Sequence, residues 1–214
     1  MNDNPVSTSH IVKIPNDNPV LFDTVQASGP DGIRFDVWYF NKHLPKGLSS
    51  DRLRRYVAAS RASYMYIMEL DSLEPQLTHV EKPLPASLLF HERCIGRPLS
   101  AVRRFDVGPD AIDSAYVYPV FFKVPLELHV EFNRWYDDEH NPMLLKCPQW
   151  LMSRRFALQV QEDSQWTHVA LHYLLDLRAL ESPERDAARS TPWRRSLDSQ
   201  SWFKPDYRVF TKAA

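Results

Sequence analysis

The chain has 214 residues, 43% of them hydrophobic and 25% charged, and a formal net charge of −1. This composition is typical of a soluble globular protein, and the absence of a basic stripe argues against nucleic acid as a partner. No apolar run is long enough to cross a membrane, and the polar N-terminus lacks a signal-peptide core. Two cysteines, Cys94 and Cys147, do not form a disulfide framework or a zinc site. We therefore expect a cytoplasmic protein without a membrane segment.

The first half of the chain predicts an arm followed by a β-α-β-β-α-β series. Residues 1–18 are polar and rich in turn formers, which indicates a flexible arm. Hydrophobic spacing and turn residues then predict these elements in chain order: a strand over 20–26, a helix over 33–44, strands over 53–59 and 64–70, a helix over 85–95 and a strand over 102–107. Gly96 and Pro98 are taken as the end of the second helix.

The second half repeats this order. Its predicted elements are a strand over 115–123, a helix over 126–140, strands over 150–160 and 166–175, a helix over 183–197 and a strand over 207–211. Each half has the order of the ferredoxin-like split motif. We therefore expect an α+β fold in which two fused ferredoxin-like halves, 19–109 and 110–214, form one intramolecular pseudo-dimeric barrel.

A short pattern that occurs twice supports the duplication. Trp38-Tyr39, three residues, His43, one residue and Pro45 precede Arg54-Arg55-Tyr56 in the first copy. In the second copy, Trp135-Tyr136, three residues, His140, one residue and Pro142 precede Arg154-Arg155-Phe156. Such self-similarity predicts two equivalent structural units and draws attention to the space between them.

The run from Glu131 to Leu145 resembles the dimeric α+β barrel superfamily, and most closely its EthD-like branch, whose members carry a Trp-Tyr…His-x-Pro helix end and an Arg-Arg-Tyr/Phe strand. The first copy is weaker, since Phe40-Asn41-Lys42 replaces Asp137-Asp138-Glu139. The resemblance implies a ferredoxin-like barrel that binds small aromatic or polyketide-like molecules. Similar proteins include muconolactone isomerases, polyketide cyclases, cofactor-free monooxygenases, dehydratases, decarboxylases and haem enzymes, so the fold does not select the reaction.

Strand alternation suggests which residues line the barrel lumen. In the strand over 166–175 we assign the odd positions to the helix-covered face and the even positions to the lumen, namely Trp166, His168, Ala170, His172 and Leu174. The matching strand of the first half would present Tyr64, Tyr66 and Met68. His168 and His172 would lie about 13 Å apart along the strand, too far to share one metal ion. We therefore predict no metal site.

Four histidines are candidate catalytic residues. His140 follows three acidic residues that could raise its basicity, although a histidine at a helix end also caps exposed carbonyls. His43 is the same group without the acidic neighbours. His168 and His172 could act as general bases or could be hydrogen-bonded core residues.

The candidate substrate-binding residues are arginines and aromatic residues. Arg154 and Arg155 alternate across the sheet, so one of them would face the lumen, where it could bind a carboxylate or phenolate. The alternative is a salt bridge to a helix carboxylate. The aromatic candidates, which could equally be core residues, are Tyr66, Tyr118, Tyr136, Trp166 and Tyr207.

These residues and the resemblance lead to one functional expectation and three alternatives. We expect a cofactor-independent lyase, isomerase or cyclase in which a lumen histidine abstracts a proton from a small hydrophobic, aromatic, polyketide-like or lactone metabolite. The alternatives are a non-catalytic binding protein for such a metabolite, a cofactor-free monooxygenase and a haem enzyme. The chain would act as a monomer, with the pseudo-dimer built in, or as a homodimer.

Overall fold

The computed structural model describes residues 10–16, 18–27, 52–59, 63–71, 88–162 and 165–213. The described strands are β1(Ile11–Lys13), β2(Val20–Ala27), β3(Leu53–Ala58), β4(Ser63–Glu69), β5(Leu88–Arg104), β6(Tyr116–Phe122), β7(Trp150–Glu162), β8(His168–Leu174), β9(Asp206–Tyr207) and β10(Phe210–Lys212). The described helices are α1(His129–Trp135), α2(Asn141–Leu144), α3(Pro183–Arg189) and α4(Pro192–Asp198). A π-helical turn, Tyr136–His140, joins α1 to α2, and 3₁₀ turns occur at Pro109–Asp113, Leu126–Leu128 and Leu177–Glu181.

Eight of these strands form a closed antiparallel barrel. Their order is β5-β2-β4-β3-β10-β6-β8-β7, and β7 pairs with β5 to close the ring. The barrel thus contains a first group, β5-β2-β4-β3, and a second group, β10-β6-β8-β7, with the same relative order. Closure leaves the eight strands without an open edge, which protects the sheet from pairing with other chains. The α+β class is confirmed.

The interior of the barrel is a packed apolar core. Its side chains come from both groups of strands and include Val20, Phe22, Tyr56, Met65, Ile67, Val117, Phe121, Phe156, Val169, Leu171 and Tyr173. Burying each large side chain of this kind contributes roughly 1.5–3 kcal/mol relative to exposure. An ion pair between Arg154 of β7 and Glu69 of β4 links the two groups at this level. Side chains therefore fill the middle of the barrel, and a cavity remains where Glu69, Met152 and Arg154 meet.

A second core lies outside the barrel, between the second group and its helices. It contains Phe132 and Trp135 of α1, Leu144 of α2, and residues of α3 and α4. Tyr118 of β6 and Ala170 of β8 are their partners on the sheet. This layer joins the helices to the outer face of the sheet.

Three predicted elements differ from the structure. The helix predicted over 85–95 is wrong, because β5 runs from Leu88 to Arg104. Pro98, which looked like a helix end, lies where the register of β5 against β7 shifts, and a bulge tolerates proline in a strand. The helix predicted to stop at His140 continues to Leu144, and the predicted helix over 183–197 is two helices separated at Ser190 and Thr191.

Other parts of the chain extend the sheet or lie outside the description. Within the predicted arm, Ile11–Lys13 forms β1 and pairs with the end of β5. The helix predicted over 33–44 falls outside the described residues, as does His43. None of the helices in the described ranges has the length and apolarity needed to traverse a bilayer.

Gly96 tests how tightly the barrel interior is packed. A Cβ atom there would lie 2.6 Å from Phe22 Cε2, 2.9 Å from Val20 Cγ2 and 3.0 Å from Phe156 Cβ. We expect Gly96→Ala to lower the free energy of unfolding by about 1–3 kcal/mol, because overpacking displaces core side chains. Urea denaturation, monitored by circular dichroism, measures this change in the free energy of unfolding.

Gly108→Ala is the matched control, since its Cβ would meet the side chain of Asp110, which lies in a turn and can move. We expect a change of less than about 0.5 kcal/mol there. Equal stability of Gly96→Ala and the wild-type protein would contradict the packed interior.

Candidate functional site

The two histidines of β8 lie on the helix-covered face of the sheet. Val169, Leu171 and Tyr173 belong to the interior core, whereas Ala170 and Leu174, which share the parity of His168 and His172, belong to the outer core. The prediction that the even positions face the lumen is therefore wrong for His168, Ala170, His172 and Leu174. All seven residues of β8 are buried, so its pattern identifies two faces without telling which one the helices cover.

The π-helical turn, Tyr136–His140, faces this side of the sheet. The N–H of Asn141 donates to the carbonyl of Tyr136, five residues earlier. In a regular α-helix, Pro142 would lack its N–H bond and its ring would clash with the carbonyl of Asp138. The wider turn relieves that conflict, and π-turns of this kind are frequent at functional sites. Tyr136 and His140, at its two ends, are both buried.

A cavity lies between the π-turn, β6, β8 and helices α3 and α4. Its lining consists of Tyr118, Val120, Phe122, Tyr136, His140, Leu144, Trp150, His172, Arg185, Arg189, Arg194 and Tyr207. The space among these side chains, including the part open to solvent, is about 330 Å³, and the cavity enclosed at its centre is only about 20 Å³. Most of the wall is aromatic or apolar, with convergent polar groups, as in small-molecule sites.

His172 is fixed by two hydrogen bonds. The indole N–H of Trp150, which can only donate, lies 3.1 Å from His172 Nδ1. Nδ1 is therefore the acceptor, and the proton of the neutral ring is on Nε2, 3.3 Å from the hydroxyl of Tyr136. His172 Nε2 donates to Tyr136, so the phenolic hydrogen of Tyr136 remains available to another acceptor.

His140 contributes an unpaired nitrogen. Its ring stacks on Trp135 at 4.5 Å and meets Tyr136 edge-on at 5.0 Å. Nδ1 is buried and has no hydrogen-bond partner among the described residues. The backbone of Ala188 acts to raise the pKa of the ring, although burial lowers it overall. In the neutral tautomer that carries its proton on Nε2, His140 has a free lone pair on Nδ1.

Burial controls the charge of these groups. Loss of water lowers the pKa of His172 to about 3, and the nearby Arg155 and Arg185 charges act in the same direction. Burial, followed by the His172 and Arg194 charges, lowers the pKa of His140 well below its usual value. Burial also raises the pKa of Tyr136 far above its ordinary range. At neutral pH the site holds two uncharged imidazoles and a protonated phenol.

The double-arginine strand divides between the two faces, as predicted. Arg154 is directed to the interior side and pairs with Glu69. Arg155 is on the outer side, where it pairs with Asp137 at 3.0 Å and lies 4.5 Å from the centre of the Tyr136 ring. The alternative of a salt bridge to a helix carboxylate therefore describes Arg155, whereas the partner of Arg154 is on a strand. Neither arginine lines the cavity beside the π-turn. Arg155 instead holds the start of the π-turn against the sheet.

The remaining predicted residues lie elsewhere. His168 contacts Thr167 Oγ1 at 3.0 Å and the ring of His129 at 4.5 Å, outside the cavity lining. Trp166 packs on Phe121 of the interior core, as predicted. Met65 and Ile67 of β4 face the interior, so the prediction that Tyr64, Tyr66 and Met68 face the lumen is wrong. The described ranges hold no group of three or more potential metal-ligating side chains.

Of the cavity residues that were not predicted from the sequence, four carry hydrogen-bond donors: Trp150, Arg185, Arg189 and Arg194. Trp150 begins β7, and its indole is recognisable as a donor only once β8 is placed beside it. The arginines occur in a charged helical stretch, where they look like an ordinary solvated face. No local signal in the sequence distinguishes them.

Comparison with known proteins identifies the fold. No family model matches the chain, and no curated protein matches it. Among solved structures, an anthrone oxidase-like protein has a TM-score of 0.64 at 9% identity, covering 95% of this chain and 94% of that chain. A putative monooxygenase from Lactobacillus acidophilus NCFM has a TM-score of 0.55 at 8% identity, covering 91% and 94%. A heme-degrading enzyme from Listeria monocytogenes has a TM-score of 0.50 at 7% identity, covering 91% and 99%.

Identities this low establish the fold alone. A further similar structure is a ferredoxin fold protein related to antibiotic biosynthesis monooxygenases, with a TM-score of 0.51. The chain therefore has the ferredoxin-like α+β barrel fold that these proteins share.

Proposed function

We propose that this protein is a cofactor-independent enzyme that moves a proton on a small aromatic or polyketide-like ketone, in a reaction of the lyase, isomerase or cyclase type. The observation that carries the proposal is the pairing of His140 Nδ1, buried without a partner, with the Trp150–His172–Tyr136 hydrogen-bond chain in the same cavity. A free base and an oriented hydroxyl donor are the two groups that enolisation requires.

In this mechanism His140 is the general base. Its Nδ1 lone pair takes a proton from the carbon next to the substrate carbonyl, and Tyr136 donates its phenolic hydrogen to the oxygen on which negative charge develops. His172 holds the Tyr136 oxygen through Nε2–H, while Trp150 fixes the tautomer of His172. The apolar wall excludes water, which strengthens each of these interactions.

A second candidate is cofactor-free oxygenation of the same kind of substrate. The likeness in fold to an anthrone oxidase-like protein favours it. Here the carbanion formed by His140 would react with O2: the methylene becomes a carbonyl, one oxygen atom enters the product and the other leaves as water. Both candidates share the first proton transfer, so the same residues serve either outcome.

Haem chemistry fits the cavity poorly. Both ring nitrogens of His172 are engaged in hydrogen bonds, and His140 is stacked on Trp135. No step is therefore assigned to a haem.

We also infer that the barrel consists of two fused ferredoxin-like halves, 19–109 and 110–214, of the EthD-like branch. Supporting this, the two groups of strands have the same order, and Tyr56 and Phe156 of the two Arg-Arg motifs occupy the interior core. With the ring closed inside one chain, a monomer suffices to form the barrel, and sedimentation equilibrium would distinguish it from a homodimer. We also propose that the protein acts in the cytoplasm.

Anthrone is a suitable probe for the proposed proton transfer, because its methylene hydrogens are adjacent to two aryl rings that conjugate with a carbonyl. In D2O without oxygen, the protein should accelerate deuterium incorporation at this methylene, measured by mass spectrometry. We expect His140→Gln to reduce that acceleration by about 10²-fold or more, the usual contribution of a general base. Tyr136→Phe should reduce it as well, through loss of the hydroxyl donor.

His129→Gln is the matched control, since His129 is on α1 but outside the cavity lining. Wild-type exchange rates in His140→Gln, with an unchanged unfolding midpoint, would overturn the mechanism. Unchanged anthrone bound without exchange would indicate a binding protein. In air, consumption of one O2 with release of anthraquinone would select the oxygenation candidate.

The buried neutral histidines also predict acid sensitivity. The pKa of His168 is lowered to about 3 by burial and by the His129 charge, so the unfolded chain binds a proton below about pH 6.5 that the folded chain does not. The stabilising contribution of the neutral His168 is therefore present above about pH 6.5 and is lost as the pH falls. We expect about 2 kcal/mol of lost unfolding free energy from His168 between about pH 7 and pH 5.

Urea denaturation of the wild-type protein and His168→Gln at both pH values measures this difference. The variant should lose less stability on acidification, whatever its stability at neutral pH. An equal loss in both proteins would show that His168 is not held neutral by the fold.

A further inference from the structure

The cavity has a positively charged rim. Of its described lining residues, three are arginines, Arg185, Arg189 and Arg194, and none is an aspartate or glutamate. Arg185 and Arg189 belong to α3, and Arg194 belongs to α4. Such an excess of one charge favours a ligand of the opposite charge.

The three arginines differ in how far their charge is already neutralised. Arg194 pairs with Asp198 at 2.9 Å and packs over the Phe203 ring at 4.7 Å. Arg185 donates to the carbonyl of Leu180 at 2.6 Å, which orients the guanidinium but leaves its charge. Arg189 is exposed and forms no ion pair within the described part of the chain. Two positive charges at the rim are therefore without a carboxylate partner among the described residues.

The rim surrounds a pair of phenol rings. Tyr118 and Tyr207 are stacked, with centroids 6.0 Å apart and planes within 9°. Arg189 lies 6.0 Å from the centre of the Tyr207 ring. Both Arg185 and Arg189 act on Tyr118 in the direction that lowers its pKa, although burial raises it overall. The positive potential of the arginines therefore favours an anionic oxygen next to the aromatic rings that line the cavity.

We propose that the substrate is an aromatic acid or acidic phenol whose anionic oxygen group binds Arg189 and Arg185 while its ring lies against Tyr118 and Trp150. This inference rests on the proposed function and names its substrate class. The inner end of such a molecule would point toward His140 Nδ1, the buried atom that has no partner in the described chain. Arginine at the outer end recognises a carboxylate through two parallel N–H bonds.

The orientation separates recognition from chemistry. The arginines are on the helices, whereas His172 and Trp150 are on strands of the sheet. A ligand that contacts both the arginines and His172 would displace the ends of the long Arg185 and Arg189 side chains. This displacement would widen a cavity that is narrow at its centre. Arg189, being exposed, can change conformation at little cost.

Calorimetric titration of the full chain with 2-naphthoate and with 2-naphthamide, its neutral analogue of similar shape, tests this inference. We expect the wild-type protein to bind naphthoate about tenfold more tightly or better, as for a charged hydrogen bond. Arg189→Gln should remove most of that preference, and Arg189→Lys should retain part of it. Arg195→Gln removes the same charge from an exposed position of α4 outside the cavity lining and should leave the preference intact.

The outcomes separate this inference from the proposed function. Equal affinities for the two probes in the wild-type protein, or an unchanged preference in Arg189→Gln, would overturn the anionic substrate but leave proton transfer on a neutral ketone intact. Loss of naphthoate binding in Arg195→Gln to the same degree would show that only net charge matters and would also overturn the role of Arg189. If neither probe binds at millimolar concentration, the anionic aromatic substrate is overturned, and deuterium exchange on anthrone still decides the proposed function.

Discussion

Alternation of side chains around a closed barrel is the constraint on which the rest of this structure depends. Each strand residue must face either the interior or the outside, and the interior is occupied by the aromatic and aliphatic residues of both groups of strands. The candidate catalytic side chains of the sheet are on the outer face, where helices cover them, whereas Arg154 and Glu69 form an ion pair on the interior side. In β7, this rule sends Phe156 inward and Arg155 toward α1. The candidate site is a product of that division.

The helical segment that contains the π-turn must meet two conflicting requirements. A tyrosine and a histidine must both be directed at the sheet, and a proline follows closely after them. The π-turn satisfies the proline and buries Tyr136 and His140 together. Arg155 of the sheet then stabilises the turn through its ion pair with Asp137 and its contact with the Tyr136 ring. The Trp-Tyr…His-x-Pro pattern thus encodes a local backbone shape as well as a set of chemical groups.

Much of the second half could be predicted from the sequence, because its strands are rich in aromatic and β-branched residues. Its helices were also placed, but their boundaries were wrong. The failure at β5 has a physical origin. Gly96 and Pro98 are ordinary helix terminators, yet here one lets three core side chains approach and the other lies at a bulge. Local composition cannot separate these roles, since both depend on strands that are distant in the chain.

The candidate site shows the same limit. Tyr118, Tyr136, His140, His172 and Tyr207 were singled out from the sequence, and the structure gathers them in one cavity. The reasoning behind two of the histidine assignments was wrong, because a strand buried on both sides gives no sign of which side the helices cover. Trp150 and the arginines depend on tertiary pairing and on the packing of α3 and α4, which no single segment reveals.

The two seams between the groups of strands are unequal. β5 and β7 pair along a stretch that reaches from Arg93 to Arg103, whereas the other seam depends on β10, which spans Phe210–Lys212. β10 follows every other barrel strand in the chain, so a nascent chain can assemble the long seam while β3 and β6 still present unpaired backbone groups. Until β10 pairs with them, the unpaired N–H and C=O groups of these edges can pair with another chain. The short strand β10 therefore completes the barrel, and the period before its synthesis is the interval in which the barrel is most exposed to misassembly.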